Sequence, residues 1–164
     1  MSHATPSPGP LLLHWWQRLA AMPFGPQLFS WAVGRMAPYT GTVGGRFEEV
    51  HVGYARVSLR DRKAVRNHLA SVHAVALVNL AEMTSGVALM TALPPGIRGI
   101  VTSLSVAYLK KARGTLRCTT TATPPGQITA PCDHTVVAEI TDAAGDLVAR
   151  CEVQWRLSPP APRS

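Results

Sequence analysis

Residues 66–90, RNHLASVHAVALVNLAEMTSGVALM, set one carboxylate, Glu82, inside an otherwise apolar run. From Val72 onward apolar or small residues recur at helical spacing, with Val75, Val78, Ala81 and Ser85 on one side and Leu77, Leu80, Ala81 and Ala88 on another. A helix that is apolar all round is stable only when buried, so the rest of the chain must cover it. Ser71 is placed as its N-cap, because a serine hydroxyl accepts from the first free amides of a helix. Burial makes an ionised carboxylate costly, so Glu82 must either find a partner or become a weaker acid. A catalytic carboxylate needs such an environment; the plainer alternative is a carboxylate satisfied by backbone or by Asn79 at a subunit interface.

Around this run the chain changes period. Residues 43–50 and 52–59 alternate like the strands of a hairpin, and Pro94-Pro95-Gly96 ends the helical stretch. Four more alternating runs follow at 99–109, 115–123, 135–141 and 147–157. In the last, Leu147, Ala149, Cys151, Val153, Trp155 and Leu157 share one face, and Arg150, Glu152, Gln154 and Arg156 the other. One face of the sheet is therefore wet. Strands interrupted by a single buried helix predict an α+β fold, an antiparallel sheet of about six strands wrapped round a central helix.

Ahead of the sheet, residues 11–22 and 27–36 read as two extra N-terminal helices separated by Pro23 and Pro26. They form a helical extension over 11–37 of a single domain spanning 11–158; of the two Pro-rich ends, residues 1–10 are expected to be a disordered tail and 159–164 a C-terminal tail. Arg18, Gln27 and Arg35 interrupt the extension, so neither a signal peptide nor a membrane span is expected there. Trp15, Trp16, Phe24, Phe29 and Trp31 either cover a sheet edge or pocket, the favoured reading, or lie on a membrane surface.

A formal charge of +7 over 164 residues is compatible with nucleic acid, an anionic membrane or a phosphate-bearing ligand. The cations are scattered and no aromatic-studded basic motif stands out, so nucleic acid is disfavoured. With 46% hydrophobic and 15% charged residues, the chain is apolar enough to expect a self-association surface. Cys118, Cys132 and Cys151 form no C-x-x-C pair, which argues against a zinc site or a disulfide framework and favours a reducing cytoplasm.

Asn67, His73 six residues on, small Ala74, and Glu82 fifteen residues after the Asn resemble the N-x5-H-G-x7-D/E pattern of hotdog-fold acyl-CoA thioesterases of the phenylacetate-pathway type. The later Tyr108-Leu109-Lys110-Lys111-Ala112 is similar to the Y-L-x-P-A segment of that family. Ala74 stands where the family has Gly, and Lys111 where it has Pro. The resemblance covers roughly residues 40–158 and implies the hotdog fold and thioester hydrolysis, with no cofactor or metal. Glu82 would be general base or nucleophile, Asn67 would orient water or the thioester carbonyl, and the Ala74 N–H would hold the oxyanion. His73 either serves the thioester or is tied to backbone at the helix start. Thr102 and Ser103 lie where family members carry an assisting hydroxyl, and Asn79 either supports Glu82 or satisfies a buried amide.

At 1.5 Å per residue, Ala74 and Glu82 lie about 12 Å apart along one helix, too far to serve one thioester carbon. Two antiparallel helices of a two-fold dimer remove the difficulty, so a homodimer or a dimer of dimers is expected. Coenzyme A phosphates would meet Lys110, Lys111 and Arg113, with Arg98 at the far end of the same strand. The competing readings are a non-catalytic acyl-CoA or lipid-binding hotdog protein, and a hotdog hydratase, which the lack of a D-x4-H segment near the helix disfavours.

Overall fold

The computed structural model describes residues 8–159. Three helices open the chain, α1 (Pro8–Leu19), α2 (Gly25–Met36) and α3 (Pro38–Val43), followed by the hairpin β1 (Arg46–His51) and β2 (Tyr54–Leu59). After the central helix α4 (Ala74–Ala92) come β3 (Arg98–Tyr108), β4 (Leu116–Thr121), β5 (Cys132–Thr141) and β6 (Leu147–Ser158). The strands form one antiparallel sheet in the order β1-β2-β4-β5-β6-β3, so β3, which leaves α4 directly, sits at the edge farthest from β1. This is the hotdog fold: α4 lies in the curl of the sheet and touches all six strands.

Alternation of side chains decides which face of the sheet meets α4. Val57, Leu59, Leu116, Cys118, Ala138, Ile140, Cys151, Val153 and Leu157 are all fully buried against the helix residues Leu80, Ala81, Ala88 and Leu89. Each Leu so enclosed contributes about 1.5–3 kcal/mol of hydrophobic stabilisation relative to exposure. By length and composition α4 could cross a membrane, but 67% of its apolar window is buried inside the protein. On the outer face, ladder pairs such as Arg150–Glu139 and Arg156–Asp133 keep the surface polar.

Several local expectations need correction. Pro8, Gly9 and Pro10 form the first turn of α1 rather than a tail, as suits prolines whose missing amides are unpaired there anyway. Residues 1–7 and 160–164, the remainder of the expected tails, lie outside the described residues. Val43 belongs to α3, a short helix that the alternation of 43–50 concealed. Trp16 and Phe29 point inward, forming edge-to-face contacts that continue to Phe47 of β1 (centroids 5.1 and 5.2 Å apart), and so seal α1 and α2 to the domain.

Candidate active site

A tight loop precedes α4. The Asn67 amide donates to the Ser71 carbonyl (2.8 Å), while the Asn67 side-chain oxygen accepts from the amides of Leu69 (2.9 Å) and Ser71 (3.2 Å). Ala70 takes a left-handed φ of 52° to close it. The Asn67 carboxamide oxygen is thus engaged in the loop, while its Nδ2 has no hydrogen-bond partner among the described residues.

The helix cap is His73, not Ser71. The His73 Nδ1 accepts from the Val75 amide (3.1 Å), leaving the proton of the neutral ring on Nε2. Ser71 is held out of the capping position because its hydroxyl donates to the Ala112 carbonyl (2.9 Å). That same carbonyl accepts from the Val72 amide (2.8 Å), and the His73 amide donates to Val65 (2.8 Å). Of the amides of Val72, His73 and Ala74, only that of Ala74 has no partner among the described residues. The partial positive charge of the helix end is concentrated there.

A small cavity of about 190 Å³ adjoins this amide and is lined by Asn67, Ala74, Tyr108, Lys110 and Lys111 among others. The structure therefore brings together Asn67, Ala74 and two of the nominated cations. It also adds Tyr108, whose hydroxyl donates to the Ala74 carbonyl (3.3 Å). The Tyr108 motif by itself gives only the order of residues; the signal that Tyr108 faces the helix is its parity with Val106 on β3, both paired with β6 residues of the inner face.

Glu82 lies farther along α4 and is half-buried, with no hydrogen bond or ion pair to its carboxylate among the described residues. Burial alone pushes its pKa above the ordinary carboxyl value. Asn79, a candidate partner, instead donates to the Thr40 hydroxyl (3.3 Å), and its side-chain oxygen has no partner among the described residues. At one end of β3 the Tyr108 hydroxyl meets the Ala74 carbonyl; at the other the Met90 terminal methyl lies beside Gly99, 2.9 Å from where a Cβ would stand. Between them stand Glu82 on the helix and a β-bulge at Thr102 on the strand. The Thr102 hydroxyl donates to the Gln154 carbonyl (3.3 Å), and Ser103 pairs with Gln154, whose side chain lies on the outer face with Arg156 and Glu152.

The nominated cations divide. Lys110 is held by Asp142 and Asp146, both at 2.6 Å, which raises its pKa and removes it from the set of unpaired cations. Lys111 and Arg113 are exposed without an ion pair among the described residues. Arg98 is a whole strand away from the 190 Å³ cavity and is not among its lining residues. Burial pushes the Cys118 thiol up to about 12 and Cys151 to about 11, so both behave as small apolar groups at neutral pH. No group of three His, Cys, Asp or Glu side chains able to hold a metal occurs among the described residues.

A larger cavity of about 730 Å³ lies between α2, α3 and the start of β1, with Met83 on its wall, and includes none of the nominated residues.

The structural-genomics protein APC5556 is 30% identical over 91% of this chain and 99% of its own, with a TM-score of 0.77. Pseudomonas aeruginosa PA5026, a protein of unknown function described as a probable thioesterase, is 21% identical (84% and 97% coverage, TM-score 0.71). A hypothetical thioesterase of Streptococcus pneumoniae TIGR4, solved with coenzyme A, is 16% identical (80% and 99% coverage, TM-score 0.65). No curated protein matches the chain. The model of a domain of unknown function, DUF4442, matches residues 25–157. With that match over most of its length and the hotdog fold it shares with these structures, the chain belongs to the DUF4442 family.

Proposed function

We propose that the chain hydrolyses acyl-CoA-type thioesters to the free acid and CoA, in a site completed by two copies of the chain. The observation that carries this reading is Glu82, an acid without a partner among the described residues, on a helix whose burial weakens it. A carboxyl tuned upward by desolvation is suited to take a proton near neutral pH, and an unpaired one is free to meet water or a thioester carbon.

Two routes fit these groups. In one, Glu82 takes a proton from water as the water oxygen attacks the thioester carbon. The resulting oxyanion is held by the Ala74 N–H, the C–S bond breaks, and the proton passes to the departing thiolate. In the other, the carboxylate attacks first and the C–S bond breaks to expel the thiolate, leaving a mixed anhydride that water cleaves to the free acid and the regenerated Glu82 carboxylate, a proton from that water passing to the thiolate. Both need Ala74 and Glu82 closer than the roughly 12 Å that separates them along one helix. A two-fold partner supplies the second helix, and the unpaired edge of β3 supports where it docks, since Leu104 faces inward yet is 40% exposed there. Names of fold neighbours that mention thioesterase and coenzyme A support the substrate class. The free thiols agree with a reducing cytoplasm.

A panel of acyl-CoA substrates with release of free thiol monitored tests the proposal. Turnover by the native chain that falls at least about a hundredfold in Glu82→Gln supports it. Binding of acyl-CoA without turnover would instead assign a non-catalytic carrier.

A further inference from the structure

The first carboxylate of the chain is Glu48; residues 1–47 carry Arg18, Arg35 and Arg46 and no acid. Within that acid-free segment α1 and α2 form a helical pair whose inner faces, through Trp16, Phe29 and Val33, are buried on the domain. Their outer faces are also apolar. On α1 the exposed stripe runs through Leu11, Trp15 and Arg18, and on α2 through Leu28, Trp31 and Arg35, at the three- and four-residue spacing of a helix face. Trp15 is 50% exposed and Trp31 63%. At the turn between the helices Phe24 is 78% exposed and is held at a left-handed φ of 61°. Its carbonyl accepts the Leu28 amide (3.0 Å), but its ring stays in solvent and no side-chain capping bond forms there among the described residues.

The sequence offered two readings of these five aromatics, and the structure divides them. Trp16 and Phe29 cover the domain, while Trp15 and Phe24 stay exposed and Trp31, though it also lines the 730 Å³ cavity with Arg35, keeps most of its ring in solvent. From this arrangement we propose that the outer face of the α1–α2 pair docks on an anionic phospholipid surface, with the three exposed rings entering the headgroup–acyl boundary and Arg18 and Arg35 meeting lipid phosphates.

Charge selects this occupant over a second copy of the chain. Two such faces packed together would set Arg18 and Arg35 against arginines with no carboxylate among residues 1–47 to separate them, whereas an anionic bilayer supplies the missing counter-charge. The amphipathic residues fit the same surface. Tryptophan prefers the interface because its ring is apolar and its N–H polar, and arginine carries its charge on a long apolar stem. Arg35 lies 5.8 Å from the centre of the Trp31 ring, so cation and indole present themselves as one unit.

The test uses the full chain and vesicles of phosphatidylcholine alone or mixed with phosphatidylglycerol, read by co-sedimentation and by tryptophan emission. Expected are binding to the mixed vesicles with a blue shift, weak binding to phosphatidylcholine alone, and loss of binding as salt is raised. Arg18→Gln with Arg35→Gln should weaken partition to the anionic vesicles about thirtyfold, at roughly a factor of five per removed cation. Trp15→Ser, Phe24→Ser and Trp31→Ser together should abolish the blue shift while thermal unfolding stays cooperative. If that triple variant fails to fold, the arginine pair decides alone. Absence of binding to anionic vesicles, or binding unaltered by the arginine substitutions, overturns the proposal. So does concentration-dependent self-association that the ring substitutions remove, because it would put a second copy on this face.

Discussion

Glu82 sets the pH behaviour expected of the molecule. Its pKa is raised above the ordinary 4.5 by burial, so between those two values the folded chain holds a proton that the unfolded chain has released. Stability therefore falls as pH rises through that window and stays lower above it. Glu82→Gln removes this effect: melting temperatures should be higher than those of the native chain at pH 7 and equal at pH 4, and the base limb of kcat/KM should lie above the ordinary carboxyl range. His73 separates capping from chemistry. His73→Ala should cost about 1 kcal/mol of stability, and His73→Ser, which retains a capping acceptor, should restore it with turnover intact. Equal loss of kcat in both variants would assign the imidazole a part in the reaction. Among the cations, Lys111→Ala with Arg113→Ala should raise KM for acyl-CoA with little change in kcat, and leave a truncated thioester lacking the nucleotide unaffected. The resemblance to a family pattern nominated Asn67, Ala74 and Glu82, whereas residue type alone placed the cap at Ser71 instead of His73. Ser71 has suitable chemistry; what displaces it is the Ala112 carbonyl, forty-one residues away, and no local pattern reports such a bond.

Central helix and strands were legible because each buries one face and so writes its period into the sequence. Elements whose form depends on a neighbour were not. The short α3 is enclosed through Thr40 and Val43, and the bulge at Thr102 exists because β3 meets β6 out of step. The first turn of α1 was hidden in a Pro-rich stretch that reads as a tail, although Gly9 is buried there. A side chain on Gly9 would collide with the Met90 carbonyl at the end of α4, so glycine permits the close approach of the two helices. Gly9→Ala should consequently lift α1 from α4. A lower melting temperature together with red-shifted emission from Trp16 would register the movement, whereas an unaltered melt would mean that α1 docks without this contact.

At the scale of the molecule, β3 has one strand neighbour and an unpaired edge. If two copies pair there, Leu104→Arg should convert a dimer into a monomer by light scattering and abolish turnover together with it. An active monomer would refute the shared site. The sheet order has another consequence, in time rather than in space. β3 pairs from Tyr108 with Ala149 and from Arg98 with Ser158, so it leaves the ribosome well before the strand that joins it to the rest of the sheet. Until β6 has been synthesised, α4 lies against β1, β2, β4 and β5 with one flank uncovered, and β3 has nothing to pair with. Such long-range closure is slow, because the loop entropy is lost before the contacts repay it. During that interval the nascent chain carries its most apolar helix partly open and an unpaired strand beside it, the state in which chaperone engagement and premature strand pairing between neighbouring chains on a polysome are to be expected.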